Sequence, residues 1–241
     1  MISDGMAEIL RLLQTASWPD VAGAAAELLA VDGIAVSAVS GSGEAELLWS
    51  SDPVSRDFED LQLTLGEGPG PDCLAGGAAV RVPDLGSVRE DRWTALSAEV
   101  PSMAVRAVFC FPLCIGAITL GVLTLARSTP GYLTSAQNDD VDVLAGVLTR
   151  LLLDLGDPQS SSAEYRDLDP PVLHQAVLHQ ATGMVSVQLA VPLAEALLRM
   201  RAHAYGNSRT LTNTARDIVA RRLRLAPDPH PTNLPDDADE D

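Results

Sequence analysis

The spacing of apolar residues along residues 1–155 predicts a domain of mixed helices and strands. Helical spacing over residues 6–13 and 21–29 predicts two helices near the amino terminus. Later apolar runs are joined by glycine-containing turns, which is typical of β-hairpins. The two predicted hairpins pair residues 34–40 with residues 45–50, and residues 104–111 with residues 117–126.

A glycine- and proline-rich stretch, residues 65–92, separates the two hairpins. Its run Gly66-Glu67-Gly68-Pro69-Gly70-Pro71 is a poor phosphate-binding loop, because Pro69 and Pro71 lack backbone N–H donors and no helical pattern follows directly. The run is therefore interpreted as turns. A stretch of this kind inside a compact domain usually shapes the rim of a pocket.

The helix predicted for residues 134–155 begins at a capping Thr134 or Ser135. It carries leucines at spacings of four, three and four residues. This stripe packs either on the sheet of its own domain or against the same helix of a second subunit, and the sequence supports both interpretations. The candidate dimer seam consists of Leu144, Leu148, Leu151 and Leu155.

Three shorter helical patterns follow near the carboxyl end. The first covers residues 172–189, Pro192 opens the second, and Gly206-Asn207 closes it. The third begins at a capping Thr210. Its apolar positions are Leu211, Ala215, Ile218, Val219 and Leu223. Helices of this length, each with one apolar stripe, predict a three-helix bundle.

These patterns place the chain in the α+β class and divide it into successive parts. The expected parts are a domain of mixed helices and strands (residues 1–155), a linker (residues 156–170), an all-α three-helix bundle (residues 171–225) and a disordered acidic tail (residues 226–241).

Charge is distributed unevenly between these parts. Residues 171–225 carry seven arginines and two acidic residues, a net charge of +5, which leaves −22 for the rest of a chain whose total is −17. A basic module attached to an acidic body suggests that the module meets a polyanion. All sixteen basic side chains are arginine. The absence of lysine argues against Walker-type nucleotide binding, Schiff-base chemistry and a phosphate-accepting receiver domain.

Several other classes of protein are not expected. Three cysteines are too few for a disulfide framework, and the sequence has neither a long apolar run nor a secretory leader pattern, so a cytoplasmic location without membrane contact is expected. The spacing of His174, His179 and His203 suits no common zinc site, so no metal is expected. The sequence shows no catalytic constellation, so the protein is not expected to be an enzyme.

Several motifs of residues 1–155, taken in order, resemble a GAF domain. They are Gly66-Glu67-Gly68-Pro69, residues 80–85, Arg92-Trp93, residues 107–113 and residues 120–123. The resemblance implies an antiparallel sheet with helices on one side and a small-molecule pocket on the other. Four aromatic residues either line that pocket or form plain core: Trp49, Phe58, Trp93 and Phe109. The sequence carries no signature for a ligand, so any cofactor is unknown.

The carboxyl-terminal helices resemble the ANTAR family over their whole length. The resemblance is carried by residues 179–185, residues 194–201 and residues 215–223. It implies transcription antitermination through binding of paired stem-loops in nascent RNA. By resemblance, Ala181, Thr182 and Gly183 face the RNA, although Thr182 stands where many members have lysine. The arginines implied to meet the RNA backbone are Arg199, Arg201, Arg209, Arg216, Arg221 and Arg222.

Small residues at Ala181 and Gly183 leave room for a base or a phosphate, but close packing between helices also requires small residues.

From the two resemblances and the distribution of charge we expect a bacterial RNA-binding antitermination regulator that binds paired stem-loops as a homodimer. Its GAF-like domain is expected to sense a small ligand or a partner. The alternative is a ligand- or redox-sensing protein that acts through protein contacts without RNA.

Overall fold

The computed structural model describes residues 3–13, 18–39, 45–89, 91–156 and 171–226. Its amino-terminal elements are α1 (Asp4–Leu12), α2 (Trp18–Leu29), β1 (Gly33–Val39), β2 (Ala45–Ser50), α3 (Pro53–Leu65), α4 (Pro69–Gly76) and β3 (Val80–Val82). They are followed by α5 (Thr94–Glu99), β4 (Ala107–Ile115), β5 (Ile118–Arg127), α6 (Ser135–Gly156), α7 (Pro171–Leu189), α8 (Leu193–Gly206) and α9 (Leu211–Val219).

The strands form one antiparallel five-stranded sheet in the order β2-β1-β5-β4-β3. Both predicted hairpins are confirmed as β1–β2 and β4–β5, although the connection at residues 40–44 lies outside the described residues. The register of β4 on β5 pairs Phe109 with Leu125.

Alternation along the strands gives the sheet two buried faces. Phe109 and Phe111 of β4 join a core with α1, α2 and α6, whereas Val108 and Cys110 join a second core with α3, α4 and α5. Helices therefore cover both faces, and not only one as the resemblance implied.

The region between the two hairpins holds helices that the sequence patterns did not predict. Helix α3 was not predicted, although Asp52 caps its first turn by accepting a hydrogen bond from the Ser55 amide and Gly66 ends it in a left-handed conformation. The prediction that no helix follows the Gly66–Pro71 run is wrong, because α4 begins at Pro69 within that run.

The carboxyl-terminal helices begin and end close to the predicted residues. Pro192 precedes α8, and the Thr210 hydroxyl caps α9 by accepting a hydrogen bond from the Asn213 amide. Helix α9 ends at Val219, before the predicted Leu223. The three helices share a buried core that includes Leu178, Val185, Met200, Leu211 and Ile218.

Two predicted segments lie mostly outside the described residues: the linker over residues 157–170 and the acidic tail over residues 227–241.

Among the described residues no single helix is long and apolar enough to cross a membrane. Only the bent pair Val177–Leu189 and Leu193–Gly206 meets the length and composition criteria jointly.

Two glycines provide a test of this packing. A methyl group at Gly121 in β5 would overlap the Ser37 carbonyl oxygen of β1, whereas nothing lies within 4 Å of the same position at Gly146 in α6. We expect Gly121→Ala to lower the free energy of unfolding by about 1–3 kcal/mol. Gly146→Ala should raise it by up to about 1 kcal/mol because alanine favours helix. Urea unfolding measures both changes, and equal effects of the two substitutions would contradict this packing.

Candidate functional site

A cavity of about 420 Å³ lies between the sheet and helices α3 and α4. Its wall combines apolar side chains with a few polar groups. The lining residues are Ser37, Val39, Leu47, Glu59, Asp60, Gln62, Leu63, Gly66, Gly70, Pro71, Leu74, Ala75, Thr119, Val122 and Arg201. Cavities of this size and composition accommodate small molecules.

Helix α3 presents two hydrogen-bonded polar side chains to the cavity. The Ser37 hydroxyl donates to Glu59 Oε2 at 3.0 Å, and Gln62 Nε2 donates to Glu59 Oε1 at 3.0 Å. Burial raises the pKa of Glu59, and hydrogen bonds from Thr124, Ser37 and Gln62 partly oppose that rise. Glu59 is therefore held in a defined position, and its pKa lies above that of an exposed glutamate.

The glycine-rich run approaches α3 closely at the cavity rim. The Gly70 amide donates to Gln62 Oε1 at 2.8 Å, and a side chain at Gly68 would meet the same oxygen at 2.6 Å. Gly68 also has a φ of +136°, which few residues with side chains adopt. The run thus forms part of the pocket rim, as its composition suggested, and the glycines permit the close approach.

One lining residue comes from the carboxyl-terminal helices. Arg201 of α8 reaches the α3 end of the cavity, where its Nε donates to the Leu63 carbonyl oxygen at 2.9 Å. Among the described lining residues it is the one cation. The cavity is therefore enclosed partly by a residue outside the amino-terminal domain.

The structure does not bring the four predicted pocket aromatics together. Phe58 and Trp93 lie in the core beneath α3 and α5, whereas Phe109 and Trp49 pack on the opposite core. None of them is among the described lining residues of the cavity. Their positions match the plain-core interpretation, because strand alternation turns Phe109 away from the cavity face.

The leucine stripe of α6 packs on its own domain. Leu144 and Leu148 are buried in the core beneath the sheet, and Leu151 packs at its edge. Leu155 lies in the last turn of α6, where its side chain is outside the described residues. Leu144 and Leu148 are buried in this arrangement and offer no surface to a second subunit. A dimer through this stripe stays a prediction.

The candidate RNA-facing residues of α7 point in different directions. Ala181 is fully buried, and the Thr182 hydroxyl donates to the Leu178 carbonyl oxygen at 2.8 Å within the helix. Nothing lies within 4 Å of a side-chain position at Gly183. Helix packing therefore accounts for the small residue at Ala181 but not for Gly183.

Most candidate RNA-binding arginines have partners within the protein. Arg199 forms an ion pair with Glu195 at 2.7 Å, and Arg209 and Arg222 both pair with Asp217. Hydrogen bonds from these two arginines lower the pKa of Asp217. The Arg216 guanidinium donates to Asn213 Oδ1 at 3.0 Å. The pairings hold the guanidinium groups in defined positions.

Arg221 lies beside a second, larger groove of about 810 Å³ between α7 and the end of α9. The groove is lined by Gln180, Gly183, Met184, Val187, Gln188, Ile218, Arg221, Leu223 and Arg224. Sequence reasoning omitted Arg224 from the candidate site, although the residue belongs to the same arginine-rich segment.

Cys73 and Cys110 are buried in the protein. Burial raises the pKa of Cys73 to about 12 and also raises the pKa of Cys110. Within the described ranges no group of three or more His, Cys, Asp or Glu side chains is arranged to hold a metal ion.

The buried carboxyl predicts a pH dependence of stability. The raised pKa of Glu59 means that the folded protein holds this proton more tightly than the unfolded chain. Its stabilising contribution is present below the usual value of 4.5 and is lost as the pH rises through the raised pKa. Glu59→Gln is neutral at every pH, so its free energy of unfolding should fall less from pH 5 to about pH 8 than that of the wild type.

Urea unfolding at several pH values measures this difference. Glu8→Gln, at an exposed carboxylate paired with Arg11, is the control and should follow the wild type. Parallel curves for wild type and Glu59→Gln would contradict the assigned environment of Glu59.

Comparison with solved structures finds similar domains. The chain is 13% identical to the GAF domain of a phosphoenolpyruvate-protein phosphotransferase from Acinetobacter, with 64% of this chain and 93% of that chain covered and a TM-score of 0.48. For the corresponding domain from Coxiella burnetii, the values are 14% identity, 61% and 89% coverage, and a TM-score of 0.48.

The free methionine-R-sulfoxide reductase from Neisseria meningitidis is 16% identical, with 62% of this chain and 87% of that chain covered and a TM-score of 0.46.

No curated protein matches the sequence. The model of the GAF domain family matches residues 18–152, which is more than half of the chain and ends before α7. This range contains the whole sheet and every lining residue of the α3–α4 cavity except Arg201. The chain therefore belongs to the GAF domain family.

Proposed function

We propose that this protein is an RNA-binding transcription antitermination regulator in which the GAF domain senses a small ligand and helices α7–α9 bind RNA stem-loops. The GAF domain is a ligand-sensing signalling domain. The observation that carries the proposal is that one residue of α8, Arg201, lies in the wall of the GAF cavity. A ligand there meets the sensing domain and the carboxyl-terminal helices together.

The ligand half of the proposal rests on the chemistry of the cavity. Leu47, Leu74 and Val122 supply apolar wall, while Glu59, Gln62 and Thr119 supply hydrogen-bonding groups. A compact, mainly apolar molecule with one or two polar groups fits this combination. The partner of the sensor in this proposal is such a molecule, and its identity is open.

The RNA half rests on the ANTAR resemblance and on the groove between α7 and α9. Gly183 leaves space for close approach, and Arg221 and Arg224 supply guanidinium groups that bind phosphate and stack on unpaired bases. Gln180 and Gln188 add donors and acceptors along the same groove. We assign residues 171–225 to the output module and residues 1–155 to the sensor, and a pair of stem-loops would be bound by two chains.

Removing the groove arginines tests the RNA half. We expect Arg221→Ala with Arg224→Ala to weaken binding of tandem stem-loop RNA about tenfold or more and to reduce the slope of log affinity against log salt by about 1–2, because two phosphate contacts are lost. Filter binding across a salt series measures both quantities.

The matched control removes two exposed arginines of the sensor domain, Arg89→Ala with Arg150→Ala, and so changes the net charge equally. The control should keep the wild-type affinity. Equal losses in both double variants, or a wild-type affinity that does not depend on salt, would contradict specific RNA binding at the groove.

A second candidate function is a ligand sensor that acts through protein contacts. It is favoured by apolar side chains exposed on α8, where Leu193 is 60% and Leu198 is 63% exposed. The redox version of this candidate has less support. The raised pKa values of Cys73 and Cys110 keep these thiols protonated and weakly reactive at neutral pH.

Thiol modification tests the redox version. In the folded protein Cys73 and Cys110 should react with an aromatic disulfide reagent about a hundredfold or more slowly than in the urea-unfolded chain. The half-buried Cys114 should give the fast phase, which Cys114→Ser removes. Fast modification of Cys73 in folded protein would instead favour redox sensing.

A further inference from the structure

Helix α3 carries cavity residues and module contacts on the same few turns. Glu59 and Gln62 line the cavity, whereas the neighbouring Thr64 contacts α9 and Leu63 packs against the core of α7–α9. A displacement of α3 by a bound ligand therefore moves both surfaces together.

The contact satisfies polar backbone groups of both helices. The Leu211 amide, in the first turn of α9, donates to the buried Thr64 hydroxyl at 3.0 Å. The Leu63 carbonyl, in the last turn of α3, accepts from Arg201 at 2.9 Å. Both backbone groups lie at helix ends, where intrahelical partners are lacking. Each part of the chain thus caps a helix of the other.

Further polar groups face each other beyond these caps. The Thr212 hydroxyl donates to Asp60 Oδ1 at 3.4 Å, and the positive charge of Arg216 acts on the same carboxylate. His179 of α7 lies 3.5 Å from Glu46 of β2. Two acidic residues of the sensor, Glu46 and Asp60, therefore face the basic module at this contact.

The interface between sensor and module is incompletely packed. A cavity of about 240 Å³ lies between β2, α3 and the module, with Leu178 and Arg216 in its wall. A further cavity of about 290 Å³ lies near Tyr205 at the end of α8. The two parts are joined by the packing of Leu63 and by the polar contacts of Thr64 and Asp60, so a shift of α3 changes these contacts together.

From these contacts we infer that the sensor holds the module in an inhibited arrangement. Helix α3 holds Arg201 through the Leu63 carbonyl, and its Asp60 attracts Arg216, while the groove at Gly183 stays open on another surface. Movement of α3 releases Arg201 and Arg216, two of the arginines predicted to bind RNA, and raises the affinity for RNA. This inference rests on the proposed RNA-binding function and names the regulation of that site.

Thr64→Val tests the contact with little change in shape. It removes the acceptor of the Leu211 amide, so hydrogen exchange at Leu211 should rise about tenfold or more. The affinity of the full-length chain for tandem stem-loop RNA should rise about threefold or more, because the docked state is less populated. Thr149→Val is the matched control, since Thr149 is also buried and its hydroxyl bonds to the Ala145 carbonyl within α6. The control should change neither quantity.

A reversible cross-link tests the inference by holding the module in its docked position. The side-chain oxygens of Asp60 and Thr212 lie 3.4 Å apart, so Asp60→Cys with Thr212→Cys places two thiols across the interface. Mass spectrometry establishes that the bond has formed. The oxidised protein should bind RNA about fivefold or more weakly than the same protein after reduction.

The outcomes separate the two claims. RNA binding by the wild type that is unchanged by Thr64→Val, while Leu211 exchange rises, overturns inhibition and leaves the proposed function standing. Equal affinities of the oxidised and reduced double variant overturn inhibition as well. If neither wild type, variants nor cross-linked protein binds RNA, the proposed function itself fails, whatever Leu211 exchange shows.

Discussion

Helix α3 is held from two sides, and the arrangement of the rest of the molecule depends on it. On one side its Glu59 carboxyl is buried, which is tolerable only because Ser37 and Gln62 donate hydrogen bonds to it. On the other side its last turn exposes the Leu63 carbonyl to Arg201. Removing either set of partners leaves a buried polar group unsatisfied. The sheet, the cavity and the carboxyl-terminal helices are therefore positioned through one element.

The wall of the cavity includes Arg201, a residue that lies outside the GAF domain. The glycine-rich run brings the backbone against Gln62, which narrows the rim, and Arg201 closes the α3 end from outside the matched range of the family. A ligand that prefers one position of Arg201 must shift the equilibrium of the carboxyl-terminal helices by the same coupling free energy. In the proposed function, sensing and output would be linked by this direct contact, without a long pathway through the structure.

The opposite charges of the acidic body and the basic module also affect how these two parts associate. An acidic body next to a basic module favours docking of one on the other, and it equally favours exchange of the body for an external polyanion. Internal pairs such as Arg222 with Asp217 keep guanidinium groups ordered while the module is docked. Salt screens the long-range part of both attractions, so under the proposed inhibition the balance between docked and released module would depend on ionic strength.

Local sequence patterns predicted the elements whose signals are strong. Apolar alternation with glycine turns identified both hairpins, while Gly206-Asn207 located the end of α8 and Thr210 the start of α9. The patterns did not predict α3 and α4, although Asp52-Pro53 and Pro69 mark their starts. Helix α3 has no clear apolar stripe, because it buries polar residues such as Glu59 and Gln62.

The sequence by itself determined the strand pairs, the three carboxyl-terminal helices and the contrast between an acidic body and a basic module, since each depends on neighbours in the chain. Only the tertiary structure decided that the predicted aromatics form core, that Ala181 is buried while Gly183 is open, and that Arg201 reaches the cavity. These facts depend on which faces of separate elements meet, in some cases across more than a hundred residues, such as Leu63 and Arg201. Local periodicity carries no information about such meetings.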